Sequence, residues 1–567
     1  MQSGGKESSN IVSVRYHEAK ERRDKHVNAV LMSRSNRKVV VAGPGTGKTH
    51  LFRKALEGKP NSLTLTFINS LVEDLSTELY GSSEVRTLHS FATEVLRKSS
   101  QGKKIHIFTL LPELIGEDLL FLTGEQADFV RVFNTRDDDN PHLDFYRRRK
   151  KYYDDSYGHS DVVFAAVKFL EKHPDRIPTY DQILVDEFQD FNVLEVSLID
   201  ILSTRSPILL AGDDDQALYD FKHADAKHIR LRHNDERTYA AFNLPMCSRC
   251  TRVIVESVND VVGAAIRSNL LSGRIEKPYE YFDDITQDRV SEAFPKITYS
   301  QIFSKQLGWF LESKLDEVAR LTRGKFSVLI VSPIRSHARA FASTLRKKGF
   351  QNVEYADRPE RGITLLDGLK KLLEDENSNL GWRIVAGTLL EKDLLKQALI
   401  QTNANAPPPL HEIISEEHRK KTKKLISILR KIRGEKPITV EERTTLLEHQ
   451  IDTSQLGVDA LGEDLRAAIR HNNVRAGLRK IPIRVTTVQG SKGLADDVVF
   501  VTDVDDRFFI GKNGITDRCV CNFVVALTRA KKKVFLVSAP GPTPTFVSWI
   551  DKGRLKIEKP VKREAEA

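Results

Sequence analysis

Two groups of residues have the types and spacing for chemistry on a phosphate. The first is Ala42-Gly43-Pro44-Gly45-Thr46-Gly47-Lys48-Thr49, preceded by the apolar run Val39-Val40-Val41 and followed by a helix-like segment from His50 to Leu56. Strand, glycine-rich turn and helix are the context of a phosphate-binding loop. Small residues let backbone N–H groups close around phosphate oxygens, and the start of the next helix adds partial positive charge. Lys48 would reach the β- and γ-phosphates, and Thr49 would ligate Mg²⁺. The second group is Ile183-Leu184-Val185-Asp186-Glu187, an apolar strand ending in two carboxylates. Asp186 would hold Mg²⁺, directly or through water, and Glu187 would orient and polarise an attacking water. Alone, either group has a plain structural reading, a turn or a surface acidic pair. Together they point to nucleoside triphosphate hydrolysis.

A parallel sheet is needed to bring these groups together. Val39 to Val41, Leu63 to Phe67, Ile183 to Val185 and Pro207 to Gly212 read as short strands alternating with helical segments, and Val85 to Phe91 as a second strand-to-helix turn. That alternation implies parallel strands joined by crossovers. Residues 92 to about 175 break the rhythm and read as a helical insertion, with a loop signal at Asp137-Asp138-Asp139-Asn140-Pro141. In it, Tyr146-Arg147-Arg148-Arg149-Lys150-Lys151-Tyr152-Tyr153 could hold a sugar-phosphate backbone and stack bases, or form a solvated basic helix face. Phe326 to Ser332 opens a second α/β unit, with His337 to Lys348 as its helix. Residues 386 to 480 read as a second insertion. It holds Ala406-Pro407-Pro408-Pro409 and a basic helix from Glu416 to Arg433, with Leu425, Ile428, Leu429 and Ile432 on one face.

Composition bounds the rest. The chain has 567 residues, room for about three or four domains. Lys plus Arg is 88 and Asp plus Glu 78, a net charge of +10 that suits a polyanionic partner without requiring one. No apolar run approaches the ~18 residues of a membrane span, and Met1 to Asn10 lacks an apolar signal core. Four cysteines do not make a disulfide framework. A cytoplasmic protein with no membrane partner is expected. Cys247-x-x-Cys250 and Cys519-x-Cys521 could be a zinc or iron–sulfur set, or simply buried apolar cysteines.

Asp186-Glu187-Phe188-Gln189-Asp190 followed by Gly212-Asp213-Asp214-Asp215-Gln216-Ala217-Leu218-Tyr219 resembles motifs II and III of superfamily 1A helicases, the UvrD/Rep/PcrA group. Thr66-Phe67-Ile68-Asn69 resembles motif Ia, Thr87 to Phe91 motif Ib, Leu244 to Thr251 motif IV, Thr487 to Leu494 motif V and Val525 to Ala530 motif VI. The motifs stand in family order along nearly the whole chain. The resemblance implies an α/β protein of two RecA-like P-loop domains, parallel sheets with flanking helices, each interrupted by a mainly helical insertion. The domains would be 1–91 with 176–255, and 256–385 with 481–550. The insertions would be 92–175 and a shortened 386–480, and 551–567 a charged tail.

The resemblance also implies roles. Lys48, Asp186, Glu187, Gln216, Arg249 and Arg529 would be catalytic, Gln216 sensing the γ-phosphate and the arginines reaching it across the cleft. His26, Ala42, Gly43, Pro44, Gly45, Thr46, Gly47, Lys48, Thr49, His50 and Gly493 would bind nucleotide; Thr49 and Asp186 would hold Mg²⁺. Thr66, Phe67, Asn69, Thr87, His89, Tyr219, Phe221, Lys222, Gln489 and Lys492 would meet DNA. The cofactors would be ATP and Mg²⁺, and the partner single-stranded or tailed duplex DNA, moved along 3′ to 5′. Compact relatives stand beside nucleases in anti-phage operons such as Gabija, so an operon-encoded nuclease would be a further partner. An alternative is a DNA-end sensor that switches on such a nuclease without unwinding.

The departures from the family pattern concentrate on the adenine pocket. His26 replaces the Q-motif glutamine, Ser248 the stacking tyrosine, and His50 the arginine after the P-loop threonine. Ala495 replaces the motif V glutamate. The phosphate apparatus is intact while base reading is thinned, so other nucleoside triphosphates are expected to be accepted.

Overall fold

A computed structural model describes residues 4–66, 69–100, 102, 104–218, 223–322, 325–356, 362–404, 406–451, 480–512 and 514–559. Strands β1 (Arg37–Ala42), β2 (Ser62–Thr66), β3 (Glu84–Thr87), β4 (Gln182–Val185), β5 (Ile208–Gly212) and β6 (Ala240–Leu244) form one sheet in the order β3-β2-β4-β5-β1-β6. Every pairing in it is parallel. Alternate residues of one strand serve opposite cores, as the pleat requires. Val39 and Val41 join a core shared with the first insertion, while Val40 faces Leu51 and Phe52. Burial on both faces explains why these strands read as continuous apolar runs.

After a two-stranded ribbon of β7 (Met246–Cys247) and β8 (Glu280–Tyr281), seven strands build a second parallel sheet. They are β9 (Ile297–Gln301), β10 (Val328–Ser332), β11 (Val353–Tyr355), β12 (Ile483–Thr487), β13 (Asp496–Val501), β14 (Ala530–Ser538) and β15 (Leu555–Glu558), in the order β11-β12-β10-β13-β14-β9-β15. The expected class, two RecA-like parallel sheets flanked by helices, is therefore the observed one. Three expected boundaries move. The first unit gives way before residue 255, because Cys247, Cys250 and the helix Arg252–Arg267 pack in the core of the second sheet. The charged segment from Asp551 is not all tail, because Leu555–Glu558 pairs with β9. Its charged Lys556 and Glu558 suit an edge strand. The second helical unit begins near residue 364 rather than 386. Helices Leu365–Glu374 and Asn379–Leu389 share one core with Lys392–Gln401, Glu416–Arg433 and Val440–Glu448. The leucine stripe of the first of these, Leu365, Leu369 and Leu372, matches its helical neighbours and not the sheet. Residues 452–479 of the expected insertion lie outside the described residues.

The first insertion is a stack of helices, among them Leu111–Thr123, Leu143–Tyr152 and His159–Lys172. The basic run splits between its two readings. Arg147, Arg148 and Lys151 are exposed, but Tyr146, Arg149 and Tyr153 are buried. Arg149 Nη2 lies 2.7 Å from Asp118 Oδ2, and Arg383 Nε of the second helical unit lies 2.7 Å from Asp118 Oδ1. Tyr153 donates to the same carboxylate, and Arg149 Nη1 donates to Thr402 Oγ1 at 2.8 Å. Burial alone would raise the Asp118 pKa, but Arg383 and Arg149 hold it below the usual aspartate value. One carboxylate thus ties the two helical units together. No helix among the described residues is long and apolar enough to cross a membrane.

Candidate active site

The glycine-rich loop expected to bind phosphate leaves β1 and enters the helix Lys48–Ala55. Gly47 has φ +95° and Gly45 φ +74°, backbone that glycine adopts without strain. A Cβ on Gly45 would also stand 2.5 Å from Arg249 Cβ, so only glycine lets motif IV approach this closely. Ser248 N donates to the Gly45 carbonyl at 3.0 Å, and Tyr279 donates its hydroxyl to the Pro44 carbonyl at 2.9 Å.

The two expected carboxylates follow β4. Lys48 Nζ lies 2.7 Å from Glu187 Oε1 and 3.6 Å from Asp186 Oδ1. Glu187 sits at φ 54°, a left-handed position uncommon for a residue with a Cβ and characteristic of functional sites. Burial would raise both acids. Lys48, with Lys492 behind it, pulls Glu187 well below the usual glutamate range, whereas Asp186 stays raised by its burial. Glu187 is thus ionised, and the closer ion pair explains why the shared lysine favours it. The Thr49 hydroxyl and the Asp186 carboxylate are hard oxygen donors, which fits Mg²⁺.

Residues from the second sheet's unit converge on this point. Arg529 Nη2 donates to Gln216 Oε1 at 3.1 Å, and Gln216 Nε2 donates to Asp213 Oδ2 at 2.8 Å. Arg249 Nη2 donates to the Thr528 carbonyl at 2.9 Å. Burial, then the neighbouring Arg249, pushes the Arg529 pKa down to about 10. A buried guanidinium, Arg529, and a half-buried one, Arg249, that repel each other make a place for an anion. Gln189 joins motif II to motif III. Its Nε2 donates to Glu187 Oε2 at 2.7 Å, and its Oε1 accepts from Asp213 N at 3.0 Å.

Lys492 differs from its expected place on DNA. It is 3% exposed, its Nζ contacts Asp190, donates to the Gln216 carbonyl at 2.8 Å and lies 3.7 Å from Glu187. A buried ammonium needs such partners, and here they stand beside Glu187 and Gln216. Burial raises Asp190 to about 6 despite that lysine. Of the other expected DNA residues, Thr66 is buried at the end of β2, and Thr87 caps the helix Leu88–Ser99 by accepting from Ser90 N at 3.2 Å. His89 packs on His159 of the first insertion, with ring centroids 4.5 Å apart. Gln489 Nε2 reaches Asn522 Oδ1 at 3.5 Å. Asn69 begins a helix, and Phe67, Tyr219, Phe221 and Lys222 lie outside the described residues.

Around the expected base pocket, His26 is half-buried on the helix Gly4–Met32, and Ser248 and His50 are exposed. Gly493 has φ +83°. Burial, then Arg23, lowers the His50 pKa and keeps its ring neutral. All four cysteines are free and buried; among the described residues no cysteine joins a metal-binding group. Local patterns did not point to Tyr279, Lys277 or Arg274, which reach the site from the irregular stretch before β8. Only Gln189 carried a signal, its place beside the two acids.

Residues 124–236 match the UvrD/REP helicase N-terminal domain. The chain is 23% identical to the DNA helicase II of Salmonella typhimurium, over 91% of this chain and 84% of that one. It is 24% identical to the DNA helicase II of Escherichia coli K12, with the same coverage. A shorter stretch, 15% of this chain and 7% of the other, is 30% identical to the exonuclease/helicase subunit RexA of Lactococcus lactis.

Proposed function

We infer that this chain, a UvrD-like protein of superfamily 1A, is an ATP-hydrolysing DNA helicase that moves along single-stranded DNA, in the 3′ to 5′ direction. The observation that carries this reading is the Arg529–Gln216 bond, a contact of the second unit with the first beside Lys48 and Glu187. A triphosphate bound there touches both units, so its binding and hydrolysis would close and open the cleft between them. Glu187, ionised at neutral pH, orients the attacking water. Lys48, Arg249 and Arg529 take up the charge that spreads over the γ-phosphoryl oxygens. Thr49 and Asp186 would hold Mg²⁺, which would supply positive charge against the triphosphate.

ATP is the nucleotide, with other nucleoside triphosphates accepted because Ser248 offers no ring plane for a base. A second reading is an ATPase that senses DNA ends and activates a nuclease partner without unwinding. The local likeness to an exonuclease/helicase subunit supports it. Strand displacement on a 3′-tailed duplex separates the two. Displacement driven by ATP supports the helicase, and DNA-stimulated hydrolysis without displacement supports the sensor.

A further inference from the structure

Gln216 is gripped at both ends. Its side-chain Oε1 accepts from Arg529, and its Nε2 donates to Asp213 Oδ2. What fixes Asp213 therefore fixes the sensor. Asp213, Asp214 and Asp215 present carboxylate oxygens within 4.8 Å of one another, a spacing that could bracket a cation. The chain supplies that cation itself. Lys277 Nζ lies 2.8 Å from Asp213 Oδ1 and 3.0 Å from Asp215 Oδ2, and it also contacts Asp214. Its side chain is 5% exposed. Burial works against the charged form, but the three carboxylates together hold its pKa above the usual lysine range.

The other carboxylates have arginines of their own. Arg230 Nε lies 2.9 Å from Asp214 Oδ2, and Arg274 Nε lies 2.8 Å from Asp215 Oδ1. Among the described residues, no arginine pairs with Asp213, so Lys277 is its direct cation. Lys277 lies beyond the helix Arg252–Arg267, which packs in the core of the second sheet. Besides the bond from Lys492 to the Gln216 main-chain carbonyl, the second unit thus reaches the Gln216 side chain twice, through Arg529 directly and through Lys277 by way of Asp213.

We propose that Lys277 is a positioning residue for hydrolysis, setting the Gln216 side chain through Asp213 without touching nucleotide. The inference rests on the ATPase reading above. It is tested by a double-mutant cycle on the full chain, Lys277→Met against Gln216→Ala, with kcat and the ATP KM measured at saturating single-stranded DNA. Lys277→Met should lower kcat by about tenfold or more, with KM within about threefold. In the Gln216→Ala background it should change kcat by less than about twofold. Equal fold losses in both backgrounds, or an unchanged kcat in the single variant, overturn the proposal. If Lys277→Met lacks a cooperative melting transition, Lys277→Arg is run through the same cycle. A partial loss that disappears with Gln216→Ala supports the proposal, and equal loss or none overturns it. Additive losses in an active wild type defeat this inference alone, whereas a wild type that does not hydrolyse ATP defeats the functional reading itself.

Discussion

Lys48 Nζ lies 2.7 Å from Glu187 Oε1, so the ammonium suited to phosphate is held by the carboxylate suited to water. On the proposed function, binding of a triphosphate would exchange this ion pair for Lys48–phosphate contacts, leaving Glu187 to face water.

Substitution at either end of the pair follows from that exchange. Lys48→Ala should abolish turnover, because charge on the β- and γ-phosphates is no longer met. Glu187→Gln should lower kcat by about a hundredfold or more while ATP binds at least as tightly as to wild type, since Lys48 is released from a charged partner. Single-turnover hydrolysis and equilibrium nucleotide binding check both. Near-normal turnover in Glu187→Gln would mean that another group orients the water.

Nucleotide choice should be loose. Ser248 is exposed and its hydroxyl lies 3.4 Å from the Gly45 carbonyl, which leaves no plane for a base at this position. GTP, CTP or UTP should support DNA-stimulated hydrolysis within about tenfold of ATP in kcat/KM, or about 1.4 kcal/mol of discrimination. The four nucleotides are compared at one saturating DNA concentration. A preference for ATP above about a hundredfold would show that groups such as His26 or Tyr279 read the base instead.

The tie between the helical units should be costly to break. Asp118→Asn leaves Arg149 and Arg383 buried without their carboxylate, at a cost of about 3–5 kcal/mol. The folded pKa of Asp118 lies below the ordinary aspartate value of 3.8. Its stabilisation is therefore fully present above about pH 4 and lost as pH falls below it. Chemical denaturation of wild type and Asp118→Asn should differ most near neutrality and converge toward about pH 2. Equal stabilities at pH 7 would show that the two units do not depend on this cluster.

What was legible in the sequence was local. The loop at 42–49 and the acidic pair after β4 each sit within a few consecutive residues, and both lie at the ends of parallel strands. What was hidden depends on partners far along the chain. Arg149 lies in a run of charge that reads as solvated, yet it is buried by Asp118, 31 positions away, and by Thr402, 253 positions away. The motif of Lys492 points to DNA, but Asp190 and Gln216 hold it in the interior, beside Glu187. The boundary at 386 failed because Leu365–Glu374 is amphipathic against helices that come later in the chain, which periodicity alone does not reveal.

The central claim, that hydrolysis is coupled to DNA, is tested most directly by steady-state ATP turnover with and without a long single-stranded DNA, across a salt series. The account predicts a rise of at least about tenfold in kcat with DNA, and an apparent DNA affinity that falls steeply with salt as phosphate contacts are screened. In Phe221→Ala, ATP use should continue while movement along the strand, read by streptavidin displacement, falls by more than basal hydrolysis does. A turnover rate that single-stranded DNA leaves unchanged, at low salt and saturating DNA, would contradict the account.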